Sequence, residues 1–292
     1  MKQLALVATA VSALFATLPA VAASSASASL GGFTVTLFDL NPSDGVAPAI
    51  SYMASPHGSF VSSSASDSAA GSQNGTAFSL LPFGPASSVS SAGLASAAGS
   101  VSGTLGGGLL FSSSGMAGGA AMPGFGSGFN AEARGGNFGF NFQLSPFTLA
   151  VFAGTVSLSA QTTVGAESNS FFFFNTESAS ARAGISVSGP SAGGGGGSQN
   201  SFDNRDLFAG FQQVFNPDTG NFEFIGETRS LTGVNVAGSF TNFSAGSLQG
   251  SLSVFTSVSG FSNVTAIPEP ATWALMLAGL LGVGAMARRR SR

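Results

Sequence analysis

A chain that performs covalent chemistry needs a nucleophile, a base or a metal, and this sequence offers few of each. Its single histidine, His57, lies in Ser55-Pro56-His57-Gly58-Ser59, a turn-forming stretch. A Ser-His-Asp triad would have to use it, yet no acid or nucleophile is placed beside it. Gly189-Pro190-Ser191-Ala192-Gly193 matches G-x-S-x-G. A proline precedes this serine and a glycine run follows it, where a nucleophile elbow requires a strand and a helix. Asp39, Asn41 and Asp44 offer oxygen ligands at a spacing that suits Ca²⁺. No acid stands at the twelfth position of an EF-hand loop, and a turn capped by its own Asx side chains accounts for them equally. Asp203 and Asp206, around Asn204 and Arg205, carry the same ambiguity. The other carboxylates are scattered, and no pair is marked for glycoside hydrolysis. With no cysteine, thiol catalysis, zinc fingers and Fe–S clusters are excluded for this chain. The expectation is a protein that is not an enzyme and has no cofactor. Asn74-Gly-Thr76, Asn242-Phe-Ser244 and Asn263-Val-Thr265 have the N-x-[ST] form of glycosylation acceptors, a weak signal in so Ser/Thr-rich a chain.

The residues with the most specific spacing are ones on which another enzyme would act. Pro268-Glu269-Pro270 precedes an apolar run over 271–287, followed by Arg288, Arg289, Arg290 and Arg292. As a helix, that run is about 26 Å long, at the short end of what spans a hydrocarbon core of about 30 Å. Trp273 sits near its outer end, where an indole favours the interface, and the arginines belong on the cytoplasmic side. The two prolines hold the approach extended, so a protease can read Glu269 just outside the membrane.

At the other end, Met1-Lys2 precedes an apolar stretch over 4–18. Pro19 breaks it, and Ala20-Val21-Ala22 supplies the small-x-small pattern of signal peptidase. Cleavage is expected after Ala22, giving a signal peptide over 1–22 and an exported body over 23–266.

Residues 268–282, PEPATWALMLAGLLG, with the arginine cluster at the last positions, closely resemble the PEP-CTERM sorting signal. The resemblance is confined to 267–292. It implies an exosortase, a membrane-embedded cysteine peptidase/transpeptidase of exopolysaccharide-producing Gram-negative bacteria, with Pro268, Glu269 and Pro270 as recognised residues. The implied route is export through the inner membrane, transient anchoring there by the C-terminal helix, then the cell surface or extracellular space. The implied setting is the exopolysaccharide or biofilm matrix, with exopolysaccharide itself as a partner.

The exported body holds four arginines, no lysine and eleven carboxylates, a formal charge of −7. Nucleic-acid binding needs the opposite balance and is not expected. Phenylalanine supplies 28 residues against one Tyr and one Trp. Lacking a hydrogen-bonding tip, these rings are expected to fill a core more than to line a polar site.

The body reads as all-β: an antiparallel β-sandwich or jelly-roll-like fold with Ser/Gly-rich loops, flanked by a signal helix and a transmembrane helix. Over 23–130 the strand signals are weak. The clearest covers 33–38, with weaker ones at 49–52, 59–64 and 77–81. Residues 87–114 alternate small side chains without apolar anchors, and either pair as a flat strand or stay mobile. Over 131–266 the period of two is stronger. Phe138, Phe140, Phe142 and Leu144 share one face. Strands are expected over 147–152, 155–163, 171–174, 178–189, 231–240 and 246–258, with a bend or bulge at Gly154. Residues 190–204 read as a loop. A hairpin over 207–215 and 222–228 turns on Pro217 and Gly220. Two alternative roles share this body, a carbohydrate-binding β-sandwich and a self-assembling β-rich fibre.

Overall fold

The computed structural model describes residues 23–53, 58–105, 107–119, 126–136, 141–163, 177–191, 197–218 and 220–263. The expected signal peptide, the sorting tail, His57, residues 137–140 and the expected strand over 171–174 lie outside the described residues.

The described residues form β1 (Ala23–Asp39), β2 (Ile50–Tyr52), β3 (Ser59–Asp67), β4 (Gly71–Ser79), β5 (Ala86–Ala92), β6 (Ala95–Ser102), β7 (Leu110–Gly118) and β8 (Ser127–Gly135). They continue with β9 (Phe142–Leu144), β10 (Thr148–Thr162), β11 (Glu177–Pro190), β12 (Ser198–Ala209), β13 (Phe211–Asn216), β14 (Asn221–Gly226), β15 (Thr228–Asn242) and β16 (Leu248–Ser262). One curled sheet has the order β15-β10-β1-β7-β6-β5. The other has the order β12-β11-β16-β8-β3-β4, with β9 also pairing β16 and β2 pairing β9. The strand pairings are antiparallel. The terminal strands of the body are interior: β1 lies between β10 and β7, and β16 between β11 and β8. Among the described residues no helix is long and apolar enough to cross a membrane.

Inner faces of both sheets contribute to one core cluster. Tyr52, Phe83, Phe33, Phe152, Phe142 and Phe240 form a chain of ring contacts through it, and Phe111 branches from Phe83. Beside these rings the core holds Leu30, Leu144, Ile185 and Leu252, and a large share of alanines, Ala26, Ala28, Ala97, Ala131 and Ala181 among them. Small inward side chains let the sheets approach, and buried serines then bond across the gap. Ser113 Oγ lies 2.9 Å from Thr256 Oγ1, and Ser63 Oγ 2.8 Å from both Ser88 Oγ and Ser90 Oγ. This is why the serine-rich stretch over 87–114 pairs as β5, β6 and most of β7: its alternation is a buried face of small residues.

Asp67 ties the two sheets at a pair of turns. Its carboxylate accepts hydrogen bonds from the Ala69, Ala70 and Leu94 amides, at 2.8, 3.0 and 3.0 Å. Those bonds, the Leu94 one foremost, hold its pKa below the ordinary value.

At one lateral end, β12 and β15 are joined by side chains instead of a backbone ladder. Gln199 Oε1 accepts from the Thr241 amide at 2.9 Å while its Nε2 donates to the Thr241 carbonyl at 2.8 Å. Ser201 Oγ accepts from the Ser239 amide and Asp203 Oδ2 from the Ala237 amide, each at 3.1 Å. Arg205 Nη2 donates to the Asn235 carbonyl at 3.3 Å. Alternate residues of β12 thus satisfy backbone groups on the outermost strand of the other sheet.

Several expectations are corrected. Residues 198–204 belong to β12 and are not loop. Thr148–Thr162 is one strand through Gly154. Its register with β1 breaks at Gly154 as expected, where the extra residue lies on β1 between Gly31, paired with Thr155, and Thr34, paired with Ala153; a second break falls between Val156 and Leu158 opposite β15. The hairpin is shorter than expected, β13 with β14, and its Gly220 takes φ +70° as the turn requires.

Tyr52 supplies a direct test of this packing. Burial of its hydroxyl pushes its pKa up from 10.0 to about 12. It is the only tyrosine, so phenolate absorbance reports it alone. In the native protein the absorbance rises near pH 12, and in denaturant near pH 10. Because the folded pKa is the higher one, the neutral phenol's contribution to stability is full below pH 10 and is lost as pH rises towards 12. A native midpoint near 10 would mean that the ring is not buried.

Candidate functional site

On the eight-stranded sheet the alternation that points alanines inward points a second set outward. From β8 to β12 one outward row reads Asn130, Ser259, Ser180, Phe208, and the next Glu132, Ser257, Arg182, Asp206. Four strands at about 4.8 Å spacing make this floor roughly 15 Å wide. It lies in a shallow cleft of about 450 Å³, with Arg229 also on its lining.

The floor carries polar side chains among apolar ones, and they are held in place. Ser180 Oγ lies 2.8 Å from Ser259 Oγ. Arg182 Nε is 2.9 Å from Asp206 Oδ1, and Arg134 pairs with Glu132. Both guanidiniums rest on Phe255, 5.5 Å from its ring centroid for Arg182 and 5.9 Å for Arg134. Phe202 stacks beside Phe255 at 6.5 Å and 9°. Burial first, and then the charge of Arg182, lower the Arg134 pKa. Phe208 at the cleft margin is 57% exposed and Phe202 beyond it 55%. The phenylalanines are therefore divided: among the described residues the five largest fully buried side chains are Phe83, Phe111, Phe142, Phe152 and Phe240, while Phe202, Phe208 and Phe261 face outward from this sheet.

This cluster was not marked in the sequence, because its residues are up to about 130 positions apart and meet only through strand register. The one local signal is Glu132-Ala133-Arg134, two opposite charges on one face of a strand.

The other expected sites are placed as follows. Asp39 Oδ1 accepts from the Asn41 amide at 2.9 Å, Asn41 Oδ1 from Ser43 Oγ at 2.8 Å, and Asp44 Oδ1 from the Val46 amide at 2.8 Å. Each of these side chains is used in a local turn. Among the described residues no group of three His, Cys, Asp or Glu is placed to hold a metal ion. Ser191 lies between β11 and β12, paired strands, so it is in a hairpin and not at a strand-to-helix elbow. Asn242 is fully buried, its amide donating to the Ser145 and Gly246 carbonyls, while Asn74 stands exposed on β4. Ala20, Ala22, Pro268, Glu269, Pro270, Arg288, Arg289, Arg290 and Arg292 lie outside the described residues.

Behind this all-β antiparallel body, Pro-Glu-Pro, an apolar run and terminal arginines have the form of a C-terminal sorting signal. That signal is the PEP-CTERM protein-sorting motif, whose family model matches residues 266–290. The motif makes an exosortase the processing partner and directs the chain through the membrane to the cell surface or the extracellular space. No curated protein and no solved structure matches the chain.

Proposed function

We propose that this is a non-catalytic protein of the exopolysaccharide matrix, and that it holds polysaccharide in the cleft on the outer face of its eight-stranded sheet. One observation carries the reading: a shallow polar floor of Asn130, Ser180, Ser257 and Ser259, bounded by the Arg182–Asp206 pair and the exposed ring of Phe208. Sugar rings present an apolar C–H face, which packs on an aromatic ring, and hydroxyls, which need donors and acceptors together. The floor supplies both. Asp206 and Glu132 serve there as partners of arginines, which suits binding and orientation more than proton transfer. A body of charge −7 repels an acidic polymer, so the ligand class is a neutral or weakly charged polysaccharide.

Affinity electrophoresis of the processed protein, in gels containing the producing cell's exopolysaccharide, tests this. The wild type is retarded. Phe208→Ala and Arg182→Ala each weaken binding about tenfold, the loss of about 1.4 kcal/mol, with circular dichroism unchanged. Equal mobility of the wild type with and without polysaccharide would sink the proposal.

A further inference from the structure

The sheets are finished differently at their two lateral ends. At one end the side chains of β12 hold the backbone of β15. At the other, β4 is outermost in its sheet and pairs with β3 alone. Natural edge strands are blunted by charge, proline, a bulge or a cover. β4 has none of the first three: it reads GSQNGTAFS, and its register with β3 is unbroken. Its residues are exposed or half-buried along the whole strand. Around it stand exposed apolar side chains: Phe78 at 62%, Leu80 at 61%, Leu81 at 66%, and Val89 on β5 at 75%. No charged residue lies between Asp67 and Glu132, so β4, β5, β6 and β7 carry no charge of their own, and the Asp67 carboxylate at the end of β3 is taken up by the Ala69, Ala70 and Leu94 amides.

Those features select the occupant. The exported body is acidic, and two copies of it repel unless they meet where charge is absent. An antiparallel strand is also complementary to its own copy about a two-fold axis. We propose that the exported protein forms a two-fold dimer in which β4 of one copy pairs antiparallel with β4 of a second, joining the two eight-stranded sheets and covering Phe78, Leu80 and Leu81. Because the opposite end is closed by the β12 side chains, association stops at two copies.

Sedimentation velocity of the processed protein tests this. The wild type sediments as a dimer at micromolar concentration. Thr76→Lys, on the exposed face of β4, weakens the dimer about tenfold, as like charges brought together across a strand pair do. Asn200→Lys, exposed on β12, leaves it unchanged. Ser72→Lys is read the same way if Thr76→Lys disturbs the sheet spectrum. A monomeric wild type overturns the proposal. So does equal sensitivity to the two lysines, a dimer indifferent to the β4 variants, or open-ended growth with concentration.

Discussion

Glu269→Ala leaves the exported protein unprocessed and in the membrane fraction. Glu269 is the one charge in the Pro-Glu-Pro approach, and the sorting reading makes it a residue that the exosortase recognises at the membrane. A charged contact made out of water is worth about 2–4 kcal/mol, so processing falls by roughly thirtyfold or more. Intact mass and fractionation read the result. The variant keeps the apolar segment and its arginines, and matches the wild type taken from cells lacking their exosortase. Release of Glu269→Ala at the wild-type rate would show that the enzyme does not read this carboxylate. The substitution follows the last described strand, which ends at Ser262, so circular dichroism of the variant is expected to match the wild type and to separate loss of processing from misfolding.

The second large effect is in the core. Phe142→Ala destabilises the body by about 3–5 kcal/mol, a large share of the 5–15 kcal/mol by which domains are ordinarily stable. Phe142 is fully buried, with ring centroids 5.4 Å from Phe152 and 5.2 Å from Phe240. It is also seated on a glycine: a Cβ at Gly250 would fall 2.2 Å from its ring. The surrounding backbone already approaches as closely as it can, so collapse into the cavity is limited. Chemical denaturation measures the loss. A change under about 1 kcal/mol would mean that the aromatic chain is not the centre of the core.

Much of the second half was readable, because Phe142 with Leu144, and Ile185 with Val187, are apolar residues at period two. The first half hid its strands for two reasons. Strands β5 and β6 bury Ser, Ala and Val101, whose alternation carries little hydrophobic contrast. In β1 the inward face runs through Ala26, Ala28 and Leu30, then shifts parity at the Gly31 break to Phe33 and Val35. A pattern sought at constant period therefore finds only its second half. Residues 198–204 read as a loop because β12 spends its alternate positions on Gln199, Ser201, Asp203 and Arg205, polar groups that do the work of a ladder. The cleft was illegible for a related reason: register, not spacing, brings Asn130 into line with Phe208. The sorting tail was legible in full, since its recognition depends on local order along the chain.

The interior placement of β16 has a mechanical meaning. The sorting motif begins at residue 266, shortly after β16 ends at Ser262. A pull directed along β16 from beyond Asn263 acts on a strand held by β11, β8 and β9. Its hydrogen bonds lie across the direction of pull and share the load in shear, where an edge strand would peel one bond at a time. A body gripped by its tail thus resists extraction with its sheet intact.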